Sequence, residues 1–214
     1  MGRRDEPPAP PPGSLRLQLA RADIARAAVE VFSRLGAEAT RVEDLLAAAD
    51  VARRTFYKHF RSKEEVLAAV YEMVSRELLA AIDAHREPGA DPTAGVRATL
   101  DVYLGFHADN HRILRVLVEQ AMRSDSPIAP LRRRFRAELT RALDDAFARA
   151  TGRRLDPYVF LALLSALEGL SLELLADGRA PAPADVARAR ATVHGLLDAT
   201  LGHAAALPAR VTAA

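Results

Sequence analysis

The sequence contains no cysteine. This absence excludes disulfide bonds, a thiolate nucleophile and any metal site that uses cysteine ligands. It fits a reducing compartment, and we expect the protein to act in the cytoplasm without a membrane partner. Residues 1–14 are rich in proline and lack the apolar core of a signal peptide. They are predicted to form a disordered arm with polyproline character, and residues 206–214 a tail.

Lysine is almost as scarce as cysteine. Lys58 and Lys63 are the only lysines among 30 basic residues, and the others are arginines. The formal net charge is only +2. The isoelectric point of about 9.3 overstates the basic character at pH 7, because arginine stays protonated to high pH. The positive charge that matters is therefore local, at residues 53–63.

Several sequence motifs that are typical of enzymes and cofactor-binding proteins are also missing. The sequence has no Gly-rich phosphate loop, no serine elbow and no Glu-x-x-His pair of the di-iron bundle kind. His107 and His111 are four residues apart, but the Asp-Asn pair between them is expected to break the helix, so no metal site is predicted. The apolar run at residues 158–176 contains Glu168 and Glu173 and is not interpreted as membrane-spanning. We therefore predict neither an enzyme nor a cofactor.

The most informative pattern lies in residues 40–67. Thr40 and Glu43 have the spacing of a capping box, in which a hydroxyl and a carboxylate satisfy free backbone N–H groups at a helix start. A short helix with one apolar face is therefore predicted to begin there. Asp50 tolerates turn geometry and is expected to lie in the turn that follows.

A second short helix is predicted over residues 52–59. Phe56 and Phe60 are spaced i, i+4 and are expected to point its apolar side inward. Ser62 and Glu65 again have capping-box spacing, which opens a third and longer helix. Two short helices joined by a tight turn and pinned by a third make a helix-turn-helix.

The exposed side of the second short helix is basic. A basic run in isolation is a solvated helix face, but on the second helix of a helix-turn-helix it occupies the position that contacts DNA. Cations can neutralise phosphates, whereas arginine and threonine also reach base edges in a major groove. The predicted contacts are Arg53, Arg54 and Thr55 to bases or groove, Thr40, Arg41, Tyr57, His59 and Lys63 to phosphates, and Lys58 to either.

From about residue 24 to 67 the sequence resembles the TetR (tetracycline-repressor-type) family of bacterial transcriptional regulators. The resemblance is carried by RTFYKHF at 54–60, an aromatic-rich recognition helix, and by SKEEVL at 62–67, where a lysine opens the fourth helix. Two positions differ from the family pattern. Asp50 replaces the usual Gly of the turn, and Ala52 replaces the Ser or Thr that caps the recognition helix. The resemblance implies a homodimer that binds a near-palindromic operator in double-stranded DNA and responds to a small-molecule effector.

The rest of the chain shows helical periodicity and no strand alternation, so the predicted fold is all-α with about nine helices. A helix-turn-helix domain is predicted at 15–62 and a helical regulatory and dimerisation domain at 63–205. By resemblance, the helix at 63–86 links the two. Besides the short helix that opens at the Thr40 capping box and ends before Asp50, the predicted helices are 15–35, 52–59, 63–86, 91–108, 111–123, 126–152, 156–177 and 185–201.

The helix predicted at 156–177 is apolar on nearly every side. We expect one side to face its own core and the other a partner subunit, the alternative being the centre of a monomer core. Pairing it and the helix at 185–201 with their two-fold copies predicts a four-helix interface, as the family forms. The predicted interface residues are Leu167, Leu170, Leu174, Val193 and Leu197.

The resemblance also implies a ligand pocket in the regulatory domain. Candidate lining residues should mix apolar walls with a few polar groups. The alternative is that the aromatic residues belong to the core and the polar ones are exposed or satisfied. The candidates are Tyr103, Phe106, His107, Gln120, Phe160 and Glu168.

These patterns together predict a sequence-specific transcriptional regulator, a repressor that a small-molecule ligand releases from its operator. The alternative is a helical-bundle enzyme or small-molecule-binding protein in which residues 40–67 are scaffold. That alternative requires convergent ionisable groups in the C-terminal helices, and the sequence pattern does not reveal such a set.

Overall fold

The structure, a computed structural model, describes residues 12–85 and 92–203. These residues form helices, without a strand in the described ranges, which confirms the all-α prediction. Residues 1–11 of the predicted arm and the predicted tail at 206–214 lie outside the described residues, whereas residues 12–14 belong to the first helix. The helices are α1 (Pro12–Ala39), α2 (Val42–Ala49), α3 (Arg53–His59), α4 (Lys63–Ala84), α5 (Pro92–Asp109), α6 (His111–Met122), α7 (Ala129–Thr151), α8 (Pro157–Leu175) and α9 (Pro183–Gly202).

The chain divides into two compact units. The N-terminal unit comprises Met1–Val70 and the C-terminal unit Tyr71–Ala214. Helix α4 contributes its first residues to the N-terminal unit and the remainder to the C-terminal one. One continuous helix is therefore part of both units.

The N-terminal unit is built around three phenylalanines. Phe32 of α1, Phe56 of α3 and Phe60 are each at most 1 % exposed, and the rings of Phe56 and Phe60 lie 5.8 Å apart. Helix α1 packs on both α2 and α3. The predicted inward direction of Phe56 and Phe60 is thus confirmed. Burying three large aromatic side chains stabilises a unit of this size by several kcal/mol, about 1.5–3 kcal/mol for each.

The start of α2 differs from the prediction. The Thr40–Glu43 capping box does not form. The backbone N–H of Arg41 donates to Asp44 Oδ2 at 2.8 Å, so the cap lies one residue further along. Thr40 is 1 % exposed, and its hydroxyl donates to the carbonyl of Gly36 at 2.6 Å. The reason is the break at Gly36, whose φ of 76° and ψ of 171° interrupt α1 and leave its carbonyl free to accept.

The C-terminal unit has a core shared by α5, α7, α8 and α9. Leu104, Leu139, Leu155, Leu164 and Leu167 are its most deeply buried leucines. The start of α8 illustrates how local sequence determines these elements. The Asp156 carboxylate accepts from the N–H of Tyr158 at 2.9 Å, as expected of a cap before Pro157.

The start of α7 was predicted too early. Ser126 and Pro127 do not open the helix, because the Ser126 hydroxyl accepts from the N–H of Ile128 at 3.3 Å and closes a turn. The helix begins only at Ala129, and it ends at Gly152 in left-handed geometry with φ of 68°. That geometry is strained for any residue with a Cβ atom, which explains glycine at the stop.

Helix α8 is buried along one stripe and exposed elsewhere. Its buried residues follow one face, and only 28 % of its most apolar window is buried within the subunit. By length and composition α8 could span a membrane. It packs instead on α5, α6, α7 and α9. The predicted core-facing side is therefore seen in the structure, and contact of the other side with a partner subunit stays a prediction.

Candidate nucleic-acid interface and effector cavity

The turn between α2 and α3 depends on Asp50. Its φ of 49° and ψ of 48° place it in the left-handed region, where the family resemblance predicts Gly. The N–H of Asp50 donates to Ala47 O at 3.4 Å and that of Val51 to Leu46 O at 3.2 Å, which closes a Schellman-type end. Asp is among the few residues with a Cβ that adopt this conformation. The turn is thus preserved without glycine.

Helix α3 is fixed at its two ends by different means. At its start Ala52 offers no side-chain cap, and only its carbonyl accepts from Thr55 and Phe56. At its end the guanidinium of Arg21 in α1 donates to the carbonyl of His59 at 2.6 Å and lies 4.2 Å from the ring centroid of Phe60. Local sequence patterns do not indicate this contact, because the partners are 38 residues apart.

The outward side of α3 is cationic. We define the reading surface as Arg41, Arg53, Arg54, Tyr57 and Lys58, all of which are exposed. Thr55 and His59, also predicted to contact DNA, are half-buried at its edge. Arg53 forms an ion pair with Glu43 of α2, and since both side chains are about 60 % exposed the pair stabilises the fold by less than about 1 kcal/mol. The guanidinium therefore remains available for exchange with another anion.

Lys63 does not lie where a phosphate ligand was predicted. Its ammonium donates to the carbonyls of Ala37, Glu38 and Thr40 at 3.0, 2.8 and 2.9 Å. An ammonium has three N–H donors, so all of them are used inside the protein. These carbonyls are free to accept because the break at Gly36 ends regular α1 geometry just before them. We call this arrangement the Lys63 clamp. It corrects the prediction for Lys63, and the inward hydroxyl of Thr40 corrects that for Thr40.

The C-terminal unit contains a small polar cavity beside α4. Of the predicted ligand residues, Tyr103, His107 and Glu168 line it. Phe106 packs against the core instead, Phe160 lines a separate apolar cavity, and Gln120 does not line the polar cavity. Helical spacing alone could not tell which inward direction leads to the polar cavity, and ligand contact by these three residues stays a prediction. The other lining residues are Tyr71, Val74, Ser75, Leu78, Leu114, Leu117, Val118, Ala121, Arg132, Phe135 and Ser171.

Arg132 and Glu168 of the cavity wall form an ion-pair cluster with Arg136, which is not itself a lining residue. Arg132 donates to Glu168 Oε2 at 2.6 Å, and Arg136 donates to the same oxygen and to the Ser165 hydroxyl. The side chains of Arg132, Arg136 and Glu168 are 22, 14 and 12 % exposed. The sequence pattern pointed to Glu168 but to neither arginine, since ion pairs between helices leave no spacing signal.

Burial sets the protonation of the aromatic groups around the cavity. Desolvation raises the pKa of Tyr71 to about 12 and that of Tyr103 further, so both hydroxyls stay protonated. Desolvation lowers the pKa of His107 to about 4, and the imidazole is neutral at pH 7. Its Nδ1 donates to the carbonyl of Tyr103 at 2.9 Å, and the two rings stack with centroids 4.0 Å apart. Among the described residues no group of three metal-ligating side chains is present.

The predicted dimer residues separate into two sets. Leu167, Val193 and Leu197 are at most 5 % exposed and belong to the subunit's own core, so the prediction was wrong for their side chains. Leu170 and Leu174 are half-buried and line an open groove of about 450 Å³ together with the α8–α9 connection. Part of the exposed surface of the two helices consists of uncharged and mostly small residues, Ala162, Ala166 and Gly169 on α8 and Ala191, Thr192, Gly195 and Leu196 on α9, while Glu173, Arg188, Arg190 and Asp198 are exposed charges on the same helices.

Known proteins with similar sequences and folds place these features in context. The model of the bacterial regulatory proteins of the tetR family matches residues 24–70, which include α2, α3 and the adjoining parts of α1 and α4. The HTH-type transcriptional regulator TcmR of Streptomyces glaucescens is 29 % identical, with 83 % of this chain and 94 % of that protein covered.

Two solved structures have the same fold. The TetR family transcriptional regulator PfmR from Thermus thermophilus is 27 % identical, with a TM-score of 0.62 and coverage of 81 % of this chain and 96 % of that one. A bacterial regulatory protein of the tetR family from Rhodococcus RHA1 is 26 % identical, with a TM-score of 0.61 and coverage of 90 and 98 %. With its helix-turn-helix, its cationic α3 and its all-α C-terminal unit, this chain is similar in sequence and fold to TetR-family regulators, and it is a DNA-binding transcriptional regulator.

Proposed function

We propose that the protein is a homodimeric repressor that binds a near-palindromic operator in the cytoplasm and leaves it when a small-molecule effector enters the polar cavity. The observation that carries the DNA-binding part is the division of α3 into two sides. Phe56 forms the buried side, while the opposite side exposes two arginines, a tyrosine and a lysine. A short cationic helix held rigidly by its aromatic side is suited to a major groove.

The contacts follow from which side chains are exposed. Arg53 and Arg54, with Thr55 at the edge, are assigned to base edges or the groove. Arg41, Tyr57 and His59 are assigned to phosphates, and Lys58 suits either role. Thr40 and Lys63 are removed from the direct contacts, because their side chains bond inside the protein. They hold the start of α2 in place, and so position Arg41.

A second subunit is required to cover α8. An apolar helix with most of its residues outside the core leaves a surface that favours association. We place the two-fold contact on the small-residue faces of α8 and α9, where Gly169 and Gly195 allow helices to approach closely. Two-fold symmetry then predicts operator half-sites whose centres are about 34–36 Å apart, or a multiple of that distance.

The effector acts through α4. Tyr71, Val74, Ser75 and Leu78 of this helix form one wall of the polar cavity. The cavity is about 40 Å³, space for about one or two water molecules and far below the size of a typical ligand site. An effector must therefore enlarge it, and displacing α4 is one way to do so. The shift in DNA affinity can be no larger than the effector's difference in affinity for the two states.

Salt dependence of DNA binding tests the proposal. Fluorescence anisotropy with the DNA upstream of the protein's own gene should show log K falling linearly with log salt, with a slope of about −0.9 per neutralised phosphate. Arg54→Ala should weaken binding strongly, while Arg133→Ala, an equal loss of charge on the exposed face of α7, should not. A flat salt response, or equal losses in the two variants, would contradict the assigned surface.

A further inference from the structure

The ion-pair cluster at the wall of the polar cavity has an excess of positive charge. Two guanidiniums face one carboxylate, and both donate to the same oxygen of Glu168. Arg132 lines the cavity itself and uses a single N–H in a hydrogen bond to the described residues. A guanidinium carries five N–H donors in a planar fork. Arg132 therefore has donors to spare at the cavity wall, in a place where little solvent reaches them.

Ser171 supplies a second polar group. Its side chain is 1 % exposed and lines the cavity, yet its hydroxyl has no hydrogen-bond partner among the described residues. Buried hydroxyls in proteins almost always have a partner, and a lone one costs stability. Ser171 lies one helical turn beyond Glu168 on α8, so it is on the same face as the carboxylate that holds the two arginines.

The remaining walls are uncharged at pH 7 and mostly apolar, and the polar side chains of Tyr71 and Ser75 hydrogen-bond to each other. The stacked rings of Tyr103 and His107 form a flat side, and the imidazole is neutral at pH 7 because its pKa is lowered by burial. The charged groups that act on Tyr71 and Tyr103 across the cavity are Glu168, Arg132 and Arg136. The other walls are Val74, Leu78, Leu114, Leu117, Val118 and Phe135. An occupant thus needs an apolar body and one polar end.

We propose that the effector is an organic acid, whose anionic head group binds Arg132 and accepts a hydrogen bond from Ser171 while its apolar body lies against the stacked rings. This assignment rests on the proposed effector-released repressor. Charge-assisted bonds from guanidinium to an oxyanion are stronger than bonds to a neutral group, most of all where water is excluded. An amine of the same shape would meet the guanidiniums as a like charge and is rejected.

Matched probes test the head-group preference. Calorimetric titration of the full-length protein at pH 7 would compare 2-naphthoate with 2-naphthalenemethanol and 2-naphthylmethylamine, and 4-phenylbutyrate with its alcohol and amine. In at least one of the two series, the acid is expected to bind at least ten-fold more tightly than its alcohol, and the amine more weakly than either. If neither acid binds, or if acid and alcohol bind equally in both series, the assignment of an organic acid is wrong.

Variants show whether the named residues cause the preference. Arg132→Met should abolish the difference in binding affinity between the acid and its alcohol. Arg133→Met, a change at the exposed neighbour on α7, should retain that difference. Ser171→Ala should lower the affinity for the acid several-fold. It should leave the melting temperature of the free protein unchanged or higher, since the hydroxyl has no partner to lose. An undiminished preference in Arg132→Met overturns the proposal.

DNA binding separates this inference from the proposed function. If the reading surface binds upstream DNA with the expected salt dependence but the acids show no preference, only the chemical class of the effector is wrong. If the acids bind as expected but no DNA is bound, the proposed repressor function is wrong, and the titrations still support the organic acid as the occupant of the cavity.

Discussion

The Nζ atom of Lys63, at the start of α4, lies 2.9 Å from the carbonyl oxygen of Thr40, which precedes α2 by two residues. Together with the bonds to Ala37 and Glu38 it joins the end of α1 to the beginning of α4. A lysine that the sequence assigns to DNA is thus a structural tie within the N-terminal unit. Lys63 therefore contributes to DNA binding only indirectly, by holding α2 in position.

Lys63→Met is expected to lower the free energy of unfolding by about 2–3 kcal/mol, because it removes charge-assisted hydrogen bonds and leaves carbonyls without partners. Urea denaturation measures this loss. Lys58→Met serves as the control, since Lys58 is exposed on the reading surface. It should leave stability within about 0.5 kcal/mol and weaken DNA binding. The opposite pattern, with Lys63→Met stable but unable to bind any DNA, would restore the phosphate role.

Arg21→Met should loosen the end of α3. The variant loses a hydrogen bond to His59 O and a cation–π contact with Phe60, and we expect a loss of about 1–2 kcal/mol in stability. DNA affinity should fall alike for all sequences, since Arg21 positions the helix without touching a base. Arg26→Met is the matched control, because Arg26 pairs with Asp23 of its own helix at the surface. Equal effects of the two changes would show that Arg21 has no special role.

Ala52→Ser should stabilise the recognition helix. Ala52 occupies the N-cap with extended backbone geometry, φ −66° and ψ 148°, but has no side-chain acceptor for the free N–H groups. A serine hydroxyl there is expected to add about 1 kcal/mol. Thermal or urea denaturation would measure the gain. Ala47→Ser, at an exposed position inside α2, should give no gain, because a serine inside a helix has no free N–H to cap.

Stability should depend on pH through His107. The pKa of this histidine is lowered from 6.5 to about 4 by burial, so the unfolded chain binds the proton more readily than the folded one. The stability that His107 contributes is complete above pH 6.5 and falls as the pH drops towards 4, by about 3 kcal/mol in total. Denaturation at pH 7 and pH 4.5 should therefore show a smaller loss for His107→Gln than for the unaltered protein. His85→Gln, at an exposed site, should behave like the unaltered protein.

Glutamate on the small-residue faces should prevent dimer formation. A Cβ added at Gly169 or Gly195 meets no described atom within 4 Å in the subunit, so the fold tolerates a side chain at either position. Gly169→Glu and Gly195→Glu are expected to yield monomers by light scattering coupled to size exclusion, with unchanged helical content by circular dichroism. Gly95→Glu, also free of close contacts but on α5, should remain dimeric. Dimeric Gly169→Glu and Gly195→Glu proteins would place the interface elsewhere.

Local sequence signals determined most of the fold. Three features each depend on residues within about one helical turn: the capped start of α8 at Asp156, the break at Gly36 and the inward spacing of Phe56 and Phe60. The local sequence is therefore sufficient to predict them. The DNA-binding family follows from the same kind of signal, because the recognition helix is a continuous segment.

Tertiary structure alone decided which polar groups are used inside the protein. Lys63 reaches carbonyls 23–26 residues away, and Glu168 meets Arg132 and Arg136 from another helix. No spacing rule predicts such pairs, since they depend on how helices pack. The sequence of α8 is apolar on nearly every side, so it likewise could not show which side faces the core and which side is open. Periodicity indicates that such a helix is covered, but only packing decides which side its own subunit covers.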